Sequence, residues 1–256
     1  DKLFTQVGRR MEPTPYAVEL AQPLMGALAM VRKASNVHTP FDPTAARRQF
    51  TIRTRDIGEV VYFPRILQEV TKVAPGVRIR TTFQPIDDTL SGLATGRIDL
   101  ALGFLPSLET AIHRKVLFKQ YYVCVMRKGH PLAKKKLTHD LFRRQHHLLV
   151  EYSGSGHLVI EKALIEAGAR NNIKLRLPQY LSAPHFIISS DMVWCAPVLL
   201  AETLAQHYDL VIKPVPLELP TFEIALYWHD RFHRDPANKW LRELIAQIYG
   251  ATLAGN

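Results

Sequence analysis

Bulky and polar residues alternate through Phe50-Thr51-Ile52-Arg53-Thr54, the period-two pattern of a strand. Arg55-Asp56-Ile57-Gly58 interrupts it, and Asp56 is placed to cap a helix by accepting from amides of the first turn. Val60, Val61, Phe63, Ile66, Leu67, Val70 and Val73 then recur at helical spacing until Ala74-Pro75-Gly76 stops the run. A second strand, Val77 to Phe83, follows at once. The stretch reads as a β-α-β unit whose first turn aims the positive end of a helix above the sheet. Either it is a ligand platform or it is a plain α/β repeat with an empty crevice.

The same grammar continues. Asp87-Asp88-Thr89 opens a helix that Gly96 ends, and Ile98 to Leu105 is a largely buried strand. Val116-Leu117-Phe118 and Tyr121 to Met126 are extended segments leading into a second lobe, and Lys134-Lys135-Lys136 is a solvated charge run. There Leu148 to Tyr152 is a strand, Ser153-Gly154-Ser155-Gly156 a tight turn, and His157 to Ala167 a helix closed by Gly168. Ile173 to Leu177, Met192 to Pro197, Leu210 to Ile212 and Phe222 to Trp228 are strands. Short helices cover Ala183 to Ser189 and the residues up to Leu204, and a last helix runs from Pro236 to Tyr249. Two α/β lobes with a ligand at their interface is the packing this order predicts.

The first 34 residues do not open a domain. Lys2 to Val7 reads as a short strand and Gly8-Arg9-Arg10-Met11 as a basic turn. Thr14 caps a helix with Pro15 at its first position, and Pro23 should bend or weaken it. Ala17, Leu20, Leu24, Ala27 and Val31 form a seam of about two heptads, too short to stand alone in water. It packs either on a second copy or on its own chain. Ser35 to Arg48, with Pro40 and Pro43, reads as a hinge.

Composition narrows the classes. The chain has 256 residues, enough for two cores, and 47% hydrophobic residues exclude disorder. A net charge of +10 suits a protein working near a polyanion, as it suits a merely basic soluble protein. Cys124 and Cys195 each lie in an apolar strand-like run, which favours buried thiols in a reducing compartment over a disulfide framework. No apolar run approaches the ~18 residues of a membrane span and no signal peptide opens the chain, so a cytoplasmic protein is the simplest inference. His229 and His233 are spaced like metal ligands but lack the zincin Glu, and no metal site is expected. Gly154-Ser155-Gly156-His157 misses the frame of a nucleophile elbow and reads as an anion cradle or an ordinary glycine turn. With no nucleophile-base pair and no cofactor motif, the chain is read as a binder, not an enzyme.

Four stretches resemble a LysR-type transcriptional regulator. Gly8 to Ala17 is similar to the wing and start of the linker helix; Phe50 to Phe63, with Asp56-Ile57-Gly58-Glu59, to the first strand and helix of the effector-binding domain. Gly96-Arg97-Ile98-Asp99-Leu100-Ala101-Leu102-Gly103 resembles the family's G-x-[LIV]-D-[LIV]-[AG]-[LI] segment. Trp228-His229 and Arg234 to Arg242 resemble the closing segment of the salicylate- and nitroaromatic-responsive branch.

The resemblance implies a two-lobed, type II periplasmic-binding-protein-like α/β fold preceded by a linker helix. Residues 1–34 would be the wing remnant and dimerisation helix and 35–47 the hinge. Residues 48–122 with 223–256 would form one lobe, and 123–222 the other. It places the effector cleft at Thr54, Arg55, Asp56, Tyr62, Leu105, Gln120, His157, Leu199 and Tyr227, with Arg9 and Arg10 near DNA. Relatives in the salicylate branch carry His at the position of Gln120 and Arg at that of Leu199, which leaves room for an effector other than salicylate. A small aromatic carboxylate or nitroaromatic effector, a homodimer or homotetramer, and promoter DNA are the implied partners, the DNA held by a winged helix-turn-helix that should precede Asp1. A solute-binding protein of a transport system is the alternative; the absent signal peptide and the basic wing and helix speak against it.

Overall fold

Gly8, at φ 65°, turns the chain between β1 (Phe4–Val7) and β2 (Arg10–Pro13), which pair antiparallel. The turn is shorter than the sequence pattern suggests, because Arg10 and Met11 belong to a strand. The computed structural model describes residues 2–35, 40–108, 111–151 and 158–253. Thr14 accepts from the Ala17 amide at 3.2 Å and caps α1 (Pro15–Ser35), which runs through Pro23. Residues 1–41 form one compact unit and 42–256 another.

The second unit begins with β3 (Gln49–Arg53), then α2 (Asp56–Val61) and α3 (Phe63–Val73). The single helix read from the apolar spacing is two. Pro64 has no amide to offer the Val60 carbonyl, and the chain breaks at Tyr62. Asp56 is not the cap but the first helical residue, and its side chain goes elsewhere. Next come β4 (Arg78–Thr82), α4 (Ile86–Thr95), β5 (Leu100–Gly103) and β6 (Ile112–Gln120). Gly96 ends α4 in the left-handed region at φ 79°, and a Cβ there would also strike Phe232.

The chain then crosses into β7 (Tyr122–Arg127), α5 (His139–Arg143), β8 (His146–Val150), α6 (Leu158–Glu166), β9 (Ile173–Leu177), α7 (Ala183–Ile188), β10 (Met192–Pro197), α8 (Val198–Ala205) and β11 (Leu210–Pro214). It returns as β12 (Phe222–His229) and ends in α9 (Pro236–Leu253). The helix α5, capped by Thr138, was hidden behind the charge run. The Ser153–His157 turn lies outside the described residues.

Two five-stranded sheets result, ordered β4-β3-β5-β12-β6 and β11-β7-β10-β8-β9. In each, four strands run one way and a single strand that follows a crossing, β12 or β7, runs against them. This is the type II periplasmic-binding-protein-like α/β fold. The Gly96–Gly103 segment holds the first sheet together through Asp99. Its carboxylate accepts from the Thr51 amide at 2.8 Å and from Arg48 at 2.7 Å, while Asn238 of α9 donates to the Asp99 carbonyl at 2.8 Å. One residue thus fixes β5 beside β3 and anchors the final helix.

Candidate functional site

Where β3 ends, the chain turns at Thr54 and starts α2, so three residues expected at the site meet there. Thr54 is buried, its amide donates to the Thr82 carbonyl at 3.0 Å, and its hydroxyl fills the space a side chain at Gly58 would need. Arg55 donates to the Pro178 carbonyl at 2.6 Å and lies over the rings of Phe83 and Tyr180. Asp56 Oδ2 accepts from the amides of Tyr180 and Leu181 at 2.6 and 2.9 Å. Arg55 and Asp56 therefore tie the first sheet's helix layer to the segment that enters α7 on the second. Ile57 and Val61 extend the same junction, packing into the second sheet's core beside Val123, Trp194 and Ala201.

A second group of expected residues surrounds a cavity of about 350 Å³. Tyr62, Gln120 and Leu199 line it, joined by Arg65, Phe118, Lys119, Thr203 and Tyr249 among others. Its walls come from both sheets' layers: α2, α3, β6 and α9 on one side, α8 on the other. The Tyr62 ring packs edge-on against Phe118 and Tyr249, at centroid distances of 5.5 and 6.1 Å. The Tyr249 hydroxyl donates to the Tyr62 carbonyl at 2.8 Å, at the helix break. Burial pushes both phenols well above their ordinary pKa, so they serve as neutral ring and hydroxyl surface. Gln120 is buried; its Oε1 accepts from the Leu199 amide at 3.3 Å and its Nε2 donates to the Lys119 carbonyl. Arg65 and Lys119 are the cations of the lining and Glu202 its anion.

Leu105 and Tyr227 form a third group. The Tyr227 hydroxyl accepts from the Leu105 amide at 3.3 Å, and both are buried in a core with Leu93, Ile98 and Ala225. They do not line the Tyr62–Leu199 cavity. His157 lies outside the described residues.

Sequence reading missed most of the wall, although part of it carried a signal. Leu199, Glu202 and Thr203 fall at helical spacing on one face of α8 and Gln206, its C-cap, continues the spacing, so one expected residue implied the other three. Arg65 stands three residues after Tyr62 in the same way. The amides of Tyr180 and Leu181 carry no side-chain signal and needed the fold.

The histidine pair is occupied locally. His229 Nδ1 accepts from the Arg231 amide, and His233 Nδ1 accepts from Trp228 Nε1 at 3.2 Å while stacking on His113. Among the described residues no group of three His, Cys, Asp or Glu could hold a metal ion, and no helix is long and apolar enough to cross a membrane. Arg9 and Arg10 are exposed on the β1–β2 hairpin.

Comparison with known proteins agrees with this architecture. Residues 44–249 match the family described as LysR substrate binding domain. The chain is 34% identical over 249 residues to the HTH-type transcriptional activator NahR of Pseudomonas putida, covering 97% of this chain and 83% of that protein. The HTH-type transcriptional activator NagR of Ralstonia sp is 33% identical over the same span, with the same coverage. A solved structure of a probable transcriptional regulator from Pseudomonas aeruginosa superposes with a TM-score of 0.73 at 30% identity, covering 96% of this chain and 81% of that one. Nothing in these likenesses favours a solute-binding protein of a transport system. A two-sheet α/β unit, a cavity between the sheets and a match across that unit lead to one conclusion: the chain belongs to the LysR family, as the effector-binding portion of a LysR-type transcriptional regulator.

Proposed function

We propose that this chain senses a small aromatic carboxylate or nitroaromatic between its two sheets and reports its presence, as part of a cytoplasmic oligomer, to promoter DNA. The observation that carries the reading is the cavity of about 350 Å³, which sets the rings of Tyr62, Phe118 and Tyr249 beside Arg65 and Lys119. An aromatic ring suits the three-ring wall, and a carboxylate or nitro group suits the two exposed cations of the lining. A cavity of this size falls within the range of small-ligand sites, roughly 300–1,000 Å³. Because α8 closes it from the second sheet's side, a ligand touching both walls favours one relation of the lobes over another. Thr54, Arg55 and Asp56 then act at the neighbouring junction, where occupancy and lobe closure are coupled.

Promoter DNA is the proposed partner of the whole regulator, through a winged helix-turn-helix outside these 256 residues, with Arg9 and Arg10 adding phosphate contacts. The target is an operon for breaking down aromatic compounds. Calorimetry across substituted benzoates and nitroaromatics, with sugars and amino acids as controls, tests the ligand class. Arg65→Leu is expected to weaken carboxylates about 5- to 30-fold while changing uncharged nitroaromatics little, the loss of one charge-assisted contact of roughly 1–2 kcal/mol, reduced by solvent because Arg65 is exposed. Binding of a sugar or amino acid with no benzoate or nitroaromatic bound defeats the reading.

A further inference from the structure

The two cysteines stand on neighbouring antiparallel strands, and the register places Cys195 of β10 directly opposite Cys124 of β7. Both are free thiols and both are buried. The hydrogen-bond phase of the ladder follows from one bond: the Val198 amide donates to the Tyr121 carbonyl at 3.0 Å, which marks that rung as hydrogen-bonded. Rungs alternate in an antiparallel pair, so the rung of Cys195 and Cys124, three steps away, is a non-hydrogen-bonded one. In such a rung the Cα atoms are about 4.5 Å apart, within the ~4.4–6.8 Å that a disulfide spans. Both side chains of a rung point to one face of the sheet. Here it is the face opposite Val123, Val125, Trp194 and Ala196, which pack together in the core.

We propose that Cys124 and Cys195 are a dithiol modification site, which an oxidant of the peroxide class converts into an intramolecular disulfide. Both S–H bonds and the peroxide O–O bond break and one S–S bond forms. The two thiol protons leave with the two peroxide oxygens as two waters; the sulfurs are oxidised and the peroxide is reduced. Opposed Cβ atoms in a non-hydrogen-bonded rung lie at the close end of about 4.5–5.5 Å, near the roughly 3.5–4.5 Å of a disulfide, so the bond can close with little movement of the strands.

Burial pushes Cys195 up to about 12 and Cys124 well above its ordinary value, with Lys213 on β11 pulling the latter back. The resting state is a neutral dithiol, which an exposed thiolate would outpace. The ladder also gives the disulfide a place to act. The next rungs, Ala196 with Val123 and Pro197 with Tyr122, end the strand where α8 begins, and there the Leu199 amide donates to the Gln120 side chain in the cavity wall.

The test exposes the folded chain to hydrogen peroxide, then alkylates it under denaturing, non-reducing conditions for mass spectrometry. The expected product is a monomeric chain two hydrogens lighter, with neither thiol alkylated, a peptide linking Cys124 to Cys195, and recovery of both thiols on adding a reductant. Cys124→Ala and Cys195→Ala, made separately, should each yield no such species. Two thiols still alkylated, a sulfinic acid at one cysteine, or a bond between two chains would each overturn the proposal.

Discussion

Removing the Asp56 carboxylate tests the junction between the lobes. Oδ2 accepts two backbone amides, Tyr180 at 2.6 Å and Leu181 at 2.9 Å, from a side chain 13% exposed. Hydrogen bonds to a charged group contribute roughly 1.5–3 kcal/mol each, and two bonds sharing one oxygen fall towards the lower end. Asp56→Ala leaves both amides unpaired unless the lobes part and let water in. The expected loss is thus about 2–4 kcal/mol, taken either from global stability or from the closed arrangement of the lobes. Asp56→Asn keeps an acceptor of the same shape without the charge and should lose about half as much. Urea unfolding reads the first route, and hydrogen exchange at the Tyr180 and Leu181 amides reads the second. An unchanged midpoint together with unchanged protection of both amides in Asp56→Ala would refute the reasoning.

Three further outcomes follow from other contacts. Burial holds His147 at about 4, below its ordinary 6.5, so the unfolded chain takes up a proton that the folded one refuses. Its contribution is full above pH 6.5 and is lost as pH falls towards 4, about 3 kcal/mol in all; acid titration of stability should flatten in His147→Leu. Gly58→Ala drives a Cβ into the Thr54 hydroxyl and should cost about 1–3 kcal/mol by chemical denaturation, most of it recovered in the double variant with Thr54→Ala. On α1, Leu24, Leu28 and Val31 are exposed apolar residues, so sedimentation at micromolar concentration should show a dimer for the full chain and a monomer for one starting at Thr39; a monomeric full chain speaks against pairing through this helix.

Legibility followed the range of the interactions. Element order was readable because each strand and helix carries its own period, and Gly96 and Gly168 end their helices with positive φ, as their positions in the pattern suggest. Errors fell where one residue serves two levels of structure. Asp56 looks like a cap locally, yet its carboxylate is taken by amides 124 and 125 residues away. Pro64 interrupts an apolar period that otherwise runs on, and a pattern of hydrophobic spacing cannot see a missing amide. Family likeness names Tyr62, Gln120 and Leu199 as separate positions; that they share one cavity is a property of the packing. Leu105 and Tyr227 came from the same likeness and lie in the first sheet's core, because a buried tyrosine satisfies its hydroxyl on a nearby amide.

The strand order also sets a timetable for synthesis. Every strand of the second sheet, β7 to β11, lies in one continuous run of chain from Tyr122 to Pro214, so that sheet can close as soon as the run has left the ribosome. The first sheet cannot. Its strand β12 sits between β5 and β6 and arrives more than 100 residues after them, so both wait with unpaired edges while the later lobe folds. Those waiting edges are the slow, non-local step and the aggregation-prone interval of this topology. A nascent chain halted before Phe222 would hold one finished lobe and one open sheet, a substrate for chaperones rather than a sensor.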